Sequence, residues 1–133
     1  MKSEKLTVNF TPTEVAQMDY LTQRGLYASR SGLVREGVTD LLRGREGEME
    51  GFLRPAAFDG KRFLGGLGII ALDKDELEAL ESQGQRAVLR VIGVLIVPEE
   101  VSGELFGNAI SSARVHGVIK ASAEVKAVIA KLS

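Results

Sequence analysis

The sequence predicts an α+β protein of two regions. Residues 1–45 read as a strand–helix–helix unit, and residues 61–133 as a C-terminal α/β repeat domain of units of about 24 residues. Three observations predict this. "KLTVNF" (5–10) alternates polar and apolar, "TPTEV" (11–15) changes period without a loop, and the chain repeats itself from residue 67 onward.

In the strand, Leu6, Val8 and Phe10 point one way and Lys5, Thr7 and Asn9 the other. Thr11 is placed as an N-cap, Pro12 fits the first helical position, and Glu14 completes a capping box. Val15, Met18, Leu21 and Thr22 share one helical face, and Gly25 supplies the left-handed residue that closes the helix. "LYASRSGLVREGVTDLLRG" (26–44) restarts the pattern. Ser29 or Ser31 caps this second helix, Val34, Val38 and Leu41 form its apolar stripe, and Gly44 ends it.

Such a unit cannot stand alone. A single strand leaves its backbone groups unpaired, and one strand over two short helices makes a poor core. A second copy of the chain resolves both problems. Two strands pair antiparallel about a two-fold axis, the helices interlock beneath, and Leu6, Val8, Phe10, Val34 and Val38 become a shared dimer core. Lys5, Thr7 and Asn9 then face outward on a two-stranded ribbon, which is the width that the major groove of B-DNA admits.

On "KLTVNFTPTEVAQMDYL" and "RGLYASRSGLVREGV", and on the spacing between them, the first third of the chain resembles the ribbon-helix-helix regulators of the Arc, MetJ and CopG type. The resemblance implies an intertwined homodimer on double-stranded DNA, with Lys5, Thr7 and Asn9 touching base edges. It also implies that the N-terminus of the second helix, at Ser29, Arg30 and Ser31, grips a DNA phosphate through backbone amides, which helix-end physics favours. One departure stands out. A carboxylate commonly follows the second serine in the family, whereas this chain has Gly32.

Residues 44–51, "GREGEMEG", hold one apolar residue in eight and read as a linker, with the linker and a possible hairpin spanning 46–60. Asp59-Gly60 is the expected hairpin turn. Beyond it, "RVIGVLIVPEEVSGEL" (90–105) and "RVHGVIKASAEVKAVI" (114–129) align without a gap, pairing Arg90 with Arg114 and Gly93 with Gly117. "LGIIALDKDELEAL" (67–80) aligns with one extra residue, pairing Gly68 with Gly93. Each copy reads as a strand, an acid-rich turn and a short amphipathic segment. The pattern fits either a stacked solenoid or a compact domain made by duplication. Gly103 and Gly107 weaken the helix expected in the middle copy.

Composition narrows the function classes. The 133 residues are 44% hydrophobic and 26% charged with a net charge of −1, which suits folded domains rather than disorder. Without cysteine, disulfides and thiolate metal sites are excluded. The one histidine, His116, cannot build a multi-imidazole metal site. "DKDE" (73–76) lacks calcium-loop spacing and "GGLG" (65–68) lacks a phosphate-loop continuation. No nucleophilic triad or paired-carboxylate arrangement emerges, so the expectation is a non-enzymatic protein with no cofactor and no metal. "VIGVLIV" (91–97) is too short for a membrane span and "MKSEKLTVNF" lacks a signal-peptide core, so the expected setting is cytoplasmic.

The expected function is transcriptional regulation, as a repressor that occupies paired half-sites, with the C-terminal domain joining dimers into a higher oligomer. Two rivals belong to other classes: an antitoxin whose C-terminal region binds a toxin partner, and a DNA-segregation or DNA-organising adaptor.

Overall fold

The computed structural model describes residues 3–133, which divide into two compact units at Glu46/Gly47. The N-terminal unit holds two helices, α1 (Pro12–Gln23) and α2 (Arg30–Gly44). Residues 3–11 precede α1 without helix or strand. The strand expected at 5–10 is therefore not formed in the single chain, because a strand needs a partner for its backbone groups and residues 5–10 have none in it.

The C-terminal unit runs α3 (Glu46–Leu53), a 3-10 turn (Ala56–Phe58), β1 (Arg62–Ala71), α4 (Lys74–Ser82), β2 (Ala87–Ile96), α5 (Gly103–Ala109), β3 (Ile110–Lys120) and α6 (Ala123–Leu132). The strands form one all-parallel sheet in the order β1-β2-β3. Leu77 and Leu80 of α4, Leu105 and Phe106 of α5, and Val125 and Ile129 of α6 bury one face of it, against Leu89, Val91, Leu95 and Ala113. This is a compact α/β arrangement rather than an extended stack.

Gly68, Gly93 and Gly117 fall in one register row across the three strands. Their φ angles of 114°, 139° and 133° lie where L side chains rarely sit. A Cβ on Gly93 would overlap the carbonyl oxygen of Gly68, and one on Gly117 that of Gly93. Between β2 and β3 the register shifts at Ala87/Val88, where Ser111 is the extra residue and its hydroxyl donates to the Ala87 carbonyl at 3.3 Å.

Where a linker and hairpin were expected over 46–60, residues 46–53 are helical and the chain after them packs on the sheet. Met49, Phe52 and Leu53 are spaced for one helical face, and the last two lie just beyond the apolar-poor stretch 44–51. Asp59-Gly60 does form a turn, closed by Lys61 N–H on the Phe58 carbonyl at 3.0 Å with Gly60 at φ 81°. It leads from a 3-10 turn into a parallel strand, so no hairpin follows. The helix doubted at Gly103 forms, capped by Ser102, and Gly103 N–H donates to Glu124 Oε1 at 2.8 Å.

The second face of the sheet is covered at one end by this segment. Phe58 lies over the Arg90 guanidinium at 5.3 Å, and Phe52 meets both Arg114 and His116. Arg90 is 4% exposed and donates to the Leu89 carbonyl and the Ser112 hydroxyl. Burial, and then the neighbouring Arg114 charge, push its pKa below the ordinary arginine value.

Candidate nucleic-acid interface

The site residues expected from the sequence lie around the two ends of α1 and the start of α2. At Thr11 the hydroxyl accepts from Glu14 N–H at 3.2 Å, while Thr11 N–H donates to Glu14 Oε1 at 2.9 Å. This capping box fixes where residues 5–10 leave the helix. The hydrogen bonds from the Thr11 backbone and hydroxyl hold the Glu14 carboxyl below its ordinary pKa.

At the far end, Leu26 N–H donates to Leu21 O and Gly25 N–H to Thr22 O, a Schellman closure with Gly25 at φ 80°. The chain reverses and Ser29 caps α2, its hydroxyl accepting from Gly32 N–H at 3.0 Å. With Gly32 in place of a carboxylate, the reciprocal bond of a capping box is missing. Ser29 Oγ is thus occupied, and the amides of Arg30 and Ser31 lie in the first turn ahead of it, where helical N–H groups lack intrahelical partners.

The Arg30 side chain makes a contact that the sequence did not disclose. Its Nε and one terminal nitrogen each reach Asp19 at 2.7 Å in a two-pronged pair that ties α2 to α1. The bond to Arg30 depresses the Asp19 pKa, and the same bond raises that of Arg30. Eleven residues separate the two, so no helical spacing in the sequence announces the pair.

Lys5, Thr7 and Asn9 are all exposed. The apolar set is exposed too, with Leu6 at 82%, Val8 at 63% and Phe10 at 42%. These three and Met18, Val34 and Val38 line an open groove of about 810 Å³ between the N-terminal segment and α2, whose wall also includes Asn9, Arg30 and Ser31. Of the apolar side chains in this unit, Met18 alone is buried among the described residues. The groove is thus walled by residues of the expected dimer core and lies beside the alternating segment 5–10.

The chain belongs to the ribbon-helix-helix transcriptional regulator family, whose model matches residues 1–126. The match continues through the C-terminal unit into the first turn of α6, beyond the first third that carries the sequence resemblance. Regulators of this family bind DNA and typically dimerise. No curated protein and no solved structure matched the chain. Among the described residues, no cluster of histidine and carboxylate side chains suits a metal ion, and no helix is long and apolar enough to cross a membrane.

Proposed function

We propose that the protein is a homodimeric repressor that reads operator DNA with an antiparallel ribbon made by residues 5–10 of two chains. Lys5, Thr7 and Asn9 of each chain contact base edges in the major groove, and the α2 amides at Ser29, Arg30 and Ser31 hold a backbone phosphate. The Arg30 side chain serves the fold through Asp19 instead. The C-terminal units associate and bring bound dimers together on adjacent sites, raising their effective concentration.

The observation that carries this reading is the N-terminal unit's lack of a core. Leu6, Val8 and Phe10 are exposed while the polar partners alternate with them, so pairing two chains buries one set and presents the other. The folded C-terminal unit favours a regulator over an antitoxin, whose toxin-binding tail would be unstructured when free.

Selection of duplex fragments by the purified full-length protein tests the proposal. The expected outcome is enrichment of a motif made of two related half-sites, with affinity that falls steeply with salt. Binding without sequence enrichment at any salt concentration would refute a repressor role.

A further inference from the structure

The second face of the sheet carries positive charge that the fold leaves unbalanced. Gly65, Arg90 and Arg114 share one register row across β1, β2 and β3. Two guanidiniums therefore stand on neighbouring strands, and the third strand places no side chain beside them. Arg90 is 4% exposed. Among the described residues, no carboxylate lies within ion-pair distance of either arginine. Glu50 of α3 is held instead by Arg54 at 3.0 Å. A buried cation ordinarily has a counter-charge, because its removal from water is otherwise uncompensated. Here the charge that acts on Arg90 is that of Arg114, which has the same sign. Phe58 and Phe52 lie over the two guanidiniums at 5.3 and 5.7 Å, but a neutral ring cancels no net charge. Hydrogen-bonding capacity is left over as well. The terminal nitrogens of Arg90 donate to the Leu89 carbonyl at 2.9 Å and the Ser112 hydroxyl at 3.0 Å. Its Nε donates to no described residue, and no buried side-chain polar atom among them lacks a partner, so Nε reaches solvent. Arg114 is exposed and forms no hydrogen bond among the described residues.

We infer that Arg90, Arg114 and the Ser112 hydroxyl form a binding site for the phosphate group of a small molecule. The site lies wholly within the C-terminal unit and does not depend on how the N-terminal unit reads DNA. Its chemistry selects the ligand. Two guanidiniums carry a charge that a phosphate, at about −1.5 to −2 near neutral pH, balances. The two oxygens of a carboxylate are taken up by one arginine fork, whereas two forks call for an anion with more acceptors. Ser112 Oγ accepts from Arg90, so its own proton is free to donate to that anion. Access selects the ligand's size. A nucleic-acid backbone is gripped by cations that stand clear of the surface, whereas Arg90 lies under Phe58 and admits only a small group.

Titration calorimetry of the full-length protein with inorganic phosphate, at constant ionic strength set by chloride, tests the site. The expected result is saturable binding of one phosphate per chain, with a Kd of about 1 mM or tighter. Arg114→Gln should weaken it at least about tenfold, as loss of a charged hydrogen-bonding partner does. Because Arg114 is exposed, this variant should keep its fold, which circular dichroism verifies. Arg114→Lys, which keeps the charge and loses the fork, should recover part of the affinity. The control is Lys126→Gln, which removes the same charge from an exposed position on α6 and should bind phosphate as the wild type does. Equal losses in Arg114→Gln and Lys126→Gln would mean diffuse attraction of the anion and would overturn the inference. So would wild-type affinity in Arg114→Gln, or no saturable binding to the wild type. Duplex DNA titrated in phosphate-free buffer separates the two sources of phosphate. If Arg114→Gln weakens DNA binding and leaves free phosphate unaffected, the pair is a DNA-backbone contact and the small-molecule site is wrong.

Discussion

Among the described residues, the N-terminal unit buries one apolar side chain, Met18, whereas the C-terminal unit buries seventeen, among them Phe106, Leu77, Leu80 and Leu89 at 1% exposure or less. What differs is the partner each helix finds. In residues 47–133 the sheet and helices of one chain supply each other's cover. In residues 3–46 the apolar positions are correctly spaced, capped and oriented, yet face an open groove. Local signals can therefore specify the helices of a unit without giving it a core of its own. The same contrast separates stability from function: the unit with its own core is the scaffold, and the unit without one presents the side chains proposed to read DNA.

The contrast can be broken at its strongest point by two phenylalanines. Phe106→Ala empties a fully buried site and should cost about 3–5 kcal/mol, with an unfolding midpoint of the C-terminal unit that does not depend on the N-terminal pairing. Circular dichroism on a denaturant series measures this. Phe10→Ala should cost roughly 3 kcal/mol, but from the dimer: sedimentation should show a raised dissociation constant, and the C-terminal unit should keep its melting behaviour. Loss of C-terminal stability in Phe10→Ala would mean the two units are not independent.

Asn9→Ala sharpens the contrast by touching function alone. It should weaken cognate binding by about 1–3 kcal/mol and relax preference at one base position, with dimer stability unchanged. Binding titrations on cognate and scrambled duplexes check it, and equal losses on both would remove Asn9 from the readers. The smallest effect belongs to Asp19→Asn. Because the Asp19 pKa is lowered in the folded protein, its contribution is present above the ordinary aspartate value. That contribution disappears as pH falls through the depressed one. The wild-type advantage over Asp19→Asn should therefore hold at neutral pH and vanish well below about pH 4. An advantage that persists there would detach it from the Arg30 pair.

Much of this was legible in the sequence because the signals are local. The Thr11 capping box, the Gly25 closure and the Ser29 cap each depend on residues within five positions of one another. The glycine spacing was legible as well, and in the sheet Gly68, Gly93 and Gly117 stand side by side. Features that depend on distant partners were not legible. The helix at Glu46–Leu53 hid because its apolar anchors, Phe52 and Leu53, fall past a polar, glycine-rich stretch. What holds Phe52 is His116 and Arg114, over sixty residues away. The Arg30 side chain's bond to Asp19 was hidden because nothing in its neighbourhood along the chain reveals that partner. Whether the groove is filled by a second chain is likewise a question about another molecule.

The chain carries its own probe for that question. Both tyrosines, Tyr20 and Tyr27, lie in the N-terminal unit and there is no tryptophan, so intrinsic fluorescence reports that unit selectively. The central claim is that this unit acquires a core only by pairing. Tyrosine-detected thermal unfolding of the full-length protein, over about a hundredfold range of concentration, tests it most directly. The account predicts a midpoint that rises steadily with protein concentration. A tyrosine-detected midpoint that stays constant over the whole range, in protein that sediments as a monomer, would contradict it.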